Sequence, residues 1–147
     1  MHKAWITMDY LVQQSMLVYE NRLATFAGWP YTEKENMTCT AEKLASSGFY
    51  RPSPESEPEL ACCFMCLKDL EGWEPDDIPD EEHKSHSPAC PYIQLKIRNR
   101  DEMHVYDYVK MHYQQYIILC KKQSEKLVAE LKKKHSAFRE ELSEVCS

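Results

Sequence analysis

The clearest chemistry in this chain lies in Cys63 and Cys66, two cysteines separated by two residues. A pair at this spacing can bring both thiolates to one metal ion. Sixteen residues separate Cys66 from His83, and six separate His83 from Cys90. Three thiolates and one imidazole form a donor set that zinc takes in structural sites, and four protein ligands leave no position for water. The pattern therefore predicts one structural zinc ion and argues against hydrolytic zinc chemistry.

The neighbouring Cys62 makes the register of this site important. Adjacent residues of a strand point to opposite faces, so only one of Cys62 and Cys63 is expected to face the metal. The two-residue spacing to Cys66 favours Cys63. The chain has seven cysteines, and we expect no secretory leader, so metal ligands and thiols are favoured over a disulfide framework. The cysteines without metal-ligand spacing are interpreted as buried or surface thiols: Cys39, Cys120 and Cys146.

Eight acidic side chains lie between Asp69 and Glu82, next to the predicted ligands. Most of them are expected to form a solvated face, but a few can bind a positively charged group such as a free amino terminus. Trp73 lies within the same segment. It either offers an apolar wall to a ligand or packs in the core around the metal site, and the sequence leaves both interpretations open.

The elements that position these residues follow from the distribution of glycine and proline. All three glycines and all eight prolines precede Tyr92, so the front of the chain is rich in turns and the back can form a long helix. A chain of 147 residues with 43% hydrophobic residues suits one small domain with an appendage. The net charge of −6 argues against nucleic-acid binding by the chain as a whole, and no apolar run is long enough to span a bilayer.

Short elements are predicted in the front part. Thr40 is a suitable N-cap for one helix, Gly48 a suitable stop for it, and Pro79 suits the first turn of another. Short apolar and aromatic segments between these turns predict a small antiparallel sheet. The predicted helices are Leu23–Trp29, Thr40–Ser47 and Pro79 to about His86, and the predicted strands are Phe49–Tyr50, Leu60–Met65 and Leu67–Leu70.

The back of the chain has the periodicity of a single amphipathic helix from about 103 to 145. An apolar stripe recurs at steps of three and four residues, and such a stripe needs another helix to cover it. The alternative is a helix that folds back as a hairpin onto its own domain, but no turn signal marks such a point. The residues of this apolar stripe are Val109, Tyr113, Tyr116, Cys120, Leu127, Leu131, Phe138 and Leu142.

Several segments occur in the order and spacing of a baculoviral inhibitor-of-apoptosis repeat (BIR). They are 22–26, 28–30, 44–45, 48–50 and 72–73, together with Cys63, Cys66, His83 and Cys90. The chain most resembles the survivin-like, single-BIR members of that family, on the segments 57–61, 70–77 and 81–84. The resemblance implies an α+β fold of short helices around a three-stranded antiparallel sheet, with one structural zinc, followed by one long helix. The implied divisions are an N-terminal segment 1–17, the BIR domain 18–95, a linker 96–102 and the helix 103–147.

The resemblance also implies a function without catalysis, as a subunit of the chromosomal passenger complex. The BIR domain of such proteins reads the N-terminal tail of histone H3 phosphorylated on its third residue, a threonine. The peptide adds as a strand along the sheet edge, here Lys68–Leu70. The matching positions are Glu71 and Asp77 near the peptide amine, Trp73 against the first alanine, and Lys68 and His86 near the phosphate.

The long helix of survivin-like proteins binds borealin and the inner centromere protein and thereby recruits an Aurora-type kinase. The implied locations are the nucleus, the centromeres, the spindle midzone, the midbody and the cytoplasm. An alternative is that the apolar stripes of two copies of the long helix pair with each other. A homodimer of the free protein is also implied, with these candidate contacts: Met8, Leu11, Met16, Leu17 and the segment 92–97.

Two other functions compete with this one. An apoptosis inhibitor of the same fold binds caspases, or antagonist peptides that begin with alanine. A zinc-dependent hydrolase is the third candidate, and the four protein ligands of the predicted metal site argue against it.

Overall fold

The computed structural model describes residues 12–31, 37–95 and 104–145. Met8, Leu11, Ile97, Cys146 and the implied linker 96–102 lie outside these ranges. The chain divides into two compact units, 1–115 and 116–147, and each is described by itself. Among the described helices, none has the length and apolar character that crossing a membrane requires.

The described elements comprise short helices, a small sheet and one long helix. In chain order they are α1 (Tyr19–Ala24), α2 (Ala41–Ser46), β1 (Phe49–Tyr50), β2 (Ala61–Cys63), β3 (Asp69–Leu70), α3 (Pro79–His86), α4 (Pro91–Leu95) and α5 (Val105–Val145). The predicted α+β fold class is therefore confirmed.

Local sequence explains the ends of α2 and α3. The hydroxyl of Thr40 accepts a hydrogen bond from the Lys43 amide at 3.3 Å, which caps the first turn of α2 as predicted. Gly48 follows this helix with a φ of 89°, and a Cβ there would lie 2.9 Å from the Tyr92 ring. Glycine has no Cβ, so it alone allows both the positive φ and the close approach of the Tyr92 ring at this position. Pro79 begins α3 at the predicted position.

The helix predicted at Leu23–Trp29 is wrong in position. Helix α1 ends at Ala24, and the following amides of Thr25 and Phe26 bond to carbonyls three residues earlier. This tighter turn directs the rings of Phe26 and Trp29 into the core, where they lie 2% and 8% exposed. Burial of these two rings therefore overrides the helical pattern of the segment.

The sheet is antiparallel with the order β1-β2-β3, so β3 is an edge strand. Strand β1 has its predicted bounds, whereas β2 and β3 are shorter than predicted, because residues 64–67 form a tight turn between them. Leu67 in that turn has a φ of 58°, and its amide bonds to the Cys63 carbonyl at 3.0 Å. The turn brings Cys66 back beside Cys63, as the two-residue spacing predicted.

Arg22 is a buried cation that joins several parts of the domain core. Its guanidinium donates to the carbonyl oxygens of Ala45 and Met16 at 2.8 and 2.6 Å, and it lies 4.9 Å from the centre of the Phe64 ring. Burial lowers the pKa of Arg22. The carbonyl contacts supply the partners that a buried charge requires.

Helix α5 is continuous from Val105 to Val145, so the alternative of a helical hairpin is wrong. The sequence did not identify the face by which its first turns pack on the domain. Met111 and Gln115 on that face are fully buried. The amide of Gln115 donates to the Phe64 carbonyl at 2.8 Å and accepts from Gln14 at 3.0 Å. The start of the helix is therefore part of the first compact unit.

Truncating the packed face of α5 is expected to destabilise the domain. Met111→Ala removes a side chain that is 1% exposed, so we expect a loss of about 2–5 kcal/mol in the free energy of unfolding, measured by denaturant titration. Val109→Ala is the matched control, because Val109 is 59% exposed on the same helix and should change stability by less than about 0.5 kcal/mol. Equal effects of the two changes would contradict the packing.

Candidate metal centre and adjacent groove

Four side chains from four short segments converge on one point. Cys63 ends β2, Cys66 lies in the turn after it, His83 lies in α3, and Cys90 precedes α4. Their ligand atoms all lie within 4.8 Å of one another. The Sγ atoms of Cys63 and Cys90 are 4.0 Å apart, and the Sγ of Cys66 is 3.5 Å from Nε2 of His83. This is the ligand set that the sequence predicted.

The distances fit a tetrahedral zinc ion. Zinc–sulfur bonds of about 2.3 Å and zinc–nitrogen bonds of about 2.0–2.1 Å place two sulfurs roughly 3.8 Å apart, and a sulfur and a nitrogen roughly 3.5 Å apart. The observed separations of 4.0 and 3.5 Å are close to both values. The four residues therefore form a possible metal-binding site whose chemistry and spacing are consistent with zinc.

Hydrogen bonds around the ligands hold them in place. The Nδ1 atom of His83 is 2.8 Å from the Ser47 carbonyl and donates to it, which leaves Nε2 as the coordinating nitrogen. The amides of Met65 and Cys66 donate to the Cys63 sulfur at 3.3 and 3.5 Å. Such N–H donors stabilise negative charge on a thiolate.

The ionisable groups of the cluster strongly influence one another's pKa values. Burial, together with the neighbouring thiols of Cys66 and Cys90, raises the pKa of the Cys63 thiol. Hydrogen bonds from Cys63 and Cys90 lower the pKa of Cys66. Burial lowers the pKa of His83, but its hydrogen bonds to Cys66 and Cys90 outweigh burial and raise the pKa to about 10. Zinc binds the deprotonated forms of cysteine and histidine, so metal binding at this cluster releases protons.

The other cysteines lie apart from this cluster. Cys62 pairs with Tyr50 across the sheet and is not among the four converging ligands. Cys39 is buried, and burial raises the pKa of its thiol to about 12. Cys120 is exposed on α5.

A groove of about 210 Å³ lies beside the metal cluster, between the edge strand β3 and helix α3. It brings together most of the residues predicted to bind a peptide. Lys68 does not line it; this residue precedes β3 and is half-buried. Gly72, Glu74 and Glu82 line the groove but were not predicted, although the cluster of acids in this segment was a general signal for the two carboxylates. The full lining is Leu70, Glu71, Gly72, Trp73, Glu74, Asp77, Glu82 and His86.

Trp73 takes both of the roles that the sequence left open. It is 7% exposed, and its ring packs edge-to-face on Phe49 with the centroids 5.3 Å apart. Phe49 in turn lies 4.7 Å from the ring of His83. The same indole also forms part of the groove wall. The groove and the metal cluster therefore share one aromatic wall.

The two ends of the groove differ in chemistry. At one end, Oδ2 of Asp77 accepts a hydrogen bond from the Glu74 amide at 2.7 Å. This bond stabilises the tight turn 74–77, which carries acidic side chains. At the other end, Nδ1 of His86 lies 3.0 Å from the Glu82 carbonyl oxygen and 3.5 Å from its carboxylate. The first end suits a cation, and the second presents an imidazole.

Comparison with known proteins agrees with this geometry. The family model of the Inhibitor of Apoptosis domain (BIR) matches residues 22–94. The chain is 46% identical over 93 residues to Baculoviral IAP repeat-containing protein 5 of Mus musculus, covering 63% of this chain and 64% of that protein. It is 37% identical over 124 residues to Baculoviral IAP repeat-containing protein 5.2 of Xenopus tropicalis, covering 84% of this chain and 78% of that protein. The chain belongs to the survivin-like family of BIR proteins.

Other relatives match the BIR domain more closely but over less length. Baculoviral IAP repeat-containing protein 5.1 of Xenopus tropicalis is 54% identical over 82 residues, so the chain spans about half the length of that relative. The solved "Crystal Structure of autoinhibited dIAP1-BIR1 domain" aligns with 52% of this chain and 73% of that chain at 31% identity, with a TM-score of 0.43. The family match and the curated relatives confirm the predicted resemblance to BIR proteins.

The apolar stripe on the long helix of this survivin-like chain is exposed along its whole length. In the first unit, Val109 is 59% exposed and Tyr113 is 66% exposed. In the second unit, Cys120 is exposed, and the other members are between 43% and 65% exposed: Tyr116, Leu127, Leu131, Phe138 and Leu142. The prediction that the stripe needs a covering partner is consistent with this exposure.

Two adjacent cysteines allow a sharp test of the metal site in this BIR domain. We expect Cys63→Ser to remove zinc from the purified protein and to lower its stability, because one of the four ligands is lost. Cys62→Ser is the matched control and should retain one zinc ion per chain. Zinc content is measured by mass spectrometry of the metal. Loss of zinc from the Cys62 variant, with retention in the Cys63 variant, would contradict the register of the site.

Proposed function

We propose that this survivin-like protein is a non-enzymatic subunit of the chromosomal passenger complex that carries one structural zinc ion. Its BIR domain would read the N-terminal tail of histone H3 phosphorylated on the third residue, and its long helix would bind borealin and the inner centromere protein. The observation that carries the proposal is the groove beside β3, whose lining brings together the carboxylates of Glu71 and Asp77, the indole of Trp73 and the imidazole of His86. The zinc ion would hold β2, α3 and the segment before α4 together, and all four of its ligands come from the protein.

The acidic end of the groove supports recognition of a free amino terminus. An ammonium group is a compact donor of three hydrogen bonds, and carboxylates are its natural acceptors. Because Oδ2 of Asp77 holds the turn through the Glu74 amide, Oδ1 is the oxygen suited to accept from the peptide amine. Glu71 contributes a second carboxylate, and Trp73 supplies the apolar wall on which a first alanine would pack.

The other end supports recognition of a phosphate. The ring of His86 uses Nδ1 at the Glu82 carbonyl, so Nε2 is the atom that can reach a ligand. A ring that donates from both nitrogens is protonated, and a charged donor suits a phosphate oxygen. Lys68 can add a second positive charge, since it directly precedes the edge strand.

The edge position of β3 supports strand addition by the peptide. Strand β2 occupies one side of β3, so the other side offers main-chain groups to an extended ligand. A peptide paired there would run along the groove from its acidic end toward His86. The side chains that line the groove would then select its sequence.

A second candidate function uses the same groove. Two carboxylates and an indole suit any peptide that begins with a free amine and a small apolar residue, including the antagonist peptides that bind apoptosis inhibitors. His86 favours the phosphorylated histone tail, because an unphosphorylated peptide gives this imidazole no anion to bind.

A titration with four peptides separates the two functions. The peptides carry the first residues of histone H3, with the third residue phosphorylated or not, and with the amine free or acetylated. We expect tight binding only when the phosphate and the free amine are both present, and a loss of roughly tenfold or more when either is absent, because each removes a charge-assisted hydrogen bond. Binding regardless of phosphate would favour the apoptosis regulator.

Single substitutions test, in the same titration, which end of the groove binds the peptide amine and which end binds the phosphate. Asp77→Asn keeps an oxygen that can accept from the Glu74 amide but removes the charge, and it should weaken only the free-amine peptides. Lys68→Ala should weaken only the phosphorylated peptides. Lys84→Ala is the matched control, because Lys84 is exposed on α3 and does not line the groove. An equal loss with Lys84→Ala would show a general charge effect.

The exposed stripe on α5 leads to a prediction for complex formation. Leu131 and Phe138 are 65% and 58% exposed, so replacing both by arginine should leave the BIR domain folded and able to bind the peptide. The same double variant should fail to copurify with the helices of borealin and the inner centromere protein, because two charges would be buried in the bundle. Copurification in normal ratio would contradict docking through the stripe.

A further inference from the structure

The two borders of the apolar stripe on the second unit of the chain differ in charge. Lys121, Lys132 and Arg139 each directly follow a stripe residue, namely Cys120, Leu131 and Phe138. At 100° per residue, spacings of 11 and 7 residues keep the three cations within about 20° of one line on the helix. That line extends for about 27 Å beside the stripe. All three side chains are exposed.

The opposite border is mixed in charge. It carries Glu130 and Glu141 together with Lys126 and Lys134, and the Lys134 ammonium lies 2.8 Å from the Glu130 carboxylate. The stripe is thus an apolar strip with a basic border on one side and a border of mixed charge on the other. A helix lying on a membrane usually carries basic residues along both borders, which makes an anionic lipid surface a poor occupant here.

A second copy of the helix also fits poorly. In an antiparallel pair, a two-fold axis across the interface places each border against the same border of the other copy, so cations would face cations. In a parallel pair the basic border would face the mixed one, where Lys121 would meet Gln123 rather than a carboxylate and Glu130 already pairs with Lys134. Charge complementarity therefore favours a different chain over self-association.

We propose that the stripe is covered by a partner helix whose edge carries acidic side chains along the line of Lys121, Lys132 and Arg139. This inference rests on the proposed docking of the two partner helices and specifies the charge that one of them presents. Border charges of this kind act mainly on the rate of association and on its dependence on salt. They also select the orientation of the partner, because the border of mixed charge attracts the same acidic edge less strongly.

The test compares two triple variants of the full chain, each of which replaces three lysines or arginines by glutamate. The border variant is K121E/K132E/R139E. The matched control, K122E/K126E/K133E, changes the net charge equally at positions roughly 80–140° around the helix from the basic border. Association with the helices of borealin and the inner centromere protein is measured by stopped flow at low and high salt. The border variant should associate on the order of tenfold more slowly at low salt and lose most of its salt dependence, and the control should not.

The outcomes separate this inference from the proposed function. If the wild-type chain binds the helices but both triple variants slow association equally, net charge alone acts and the acidic edge is wrong. If the border variant binds as the wild type does, the inference also fails while the docking stands. If the wild-type chain and L131R/F138R give the same signal, the docking itself fails. Sedimentation of the chain with phosphatidylserine vesicles, or a dimer of the chain held by the stripe, would overturn the choice of partner.

Discussion

Three sulfurs and one imidazole nitrogen must meet at one point, and the rest of the domain depends on that constraint. The strand β2, the turn after it, α3 and the residue before α4 each supply one ligand, so four short segments share a single anchor. None of these segments is long enough to be stable alone. The convergence therefore joins these short segments at one edge of the apolar core, which itself contains Cys63 and Cys90.

The groove takes its position from the same anchor. Helix α3 carries His83 toward the cluster and His86 toward the groove, and Phe49 lies between the rings of His83 and Trp73. A change in the ligand geometry would consequently move the aromatic wall and the imidazole of the groove together. In survivin-like proteins, the element that stabilises the fold is thus in contact with the surface that we propose reads a peptide.

The long helix shows how one element serves two surfaces. Its first turns bury Met111 and Gln115 against the domain, where Gln115 bonds to the Phe64 carbonyl beside the ligand turn. The stripe lies on the other side of the helix and stays exposed. Because an α-helix has 3.6 residues per turn, the same sequence can place residues that pack on the domain on one face and the exposed apolar stripe on the opposite face.

Spacing along the chain was enough to predict the metal ligands and the long helix, whereas the edge position of β3 came from the family resemblance. The distance to Cys66 distinguished Cys63 from Cys62, and caps, breakers and periodicity located α2, α3 and α5. The position of α1, the lengths of β2 and β3 and the burial of Gln115 could not be predicted in this way. Those depend on packing between distant segments: the rings of Phe26 and Trp29 end α1 early, and a polar side chain such as Gln115 is buried only because Phe64 and Gln14 supply its hydrogen bonds.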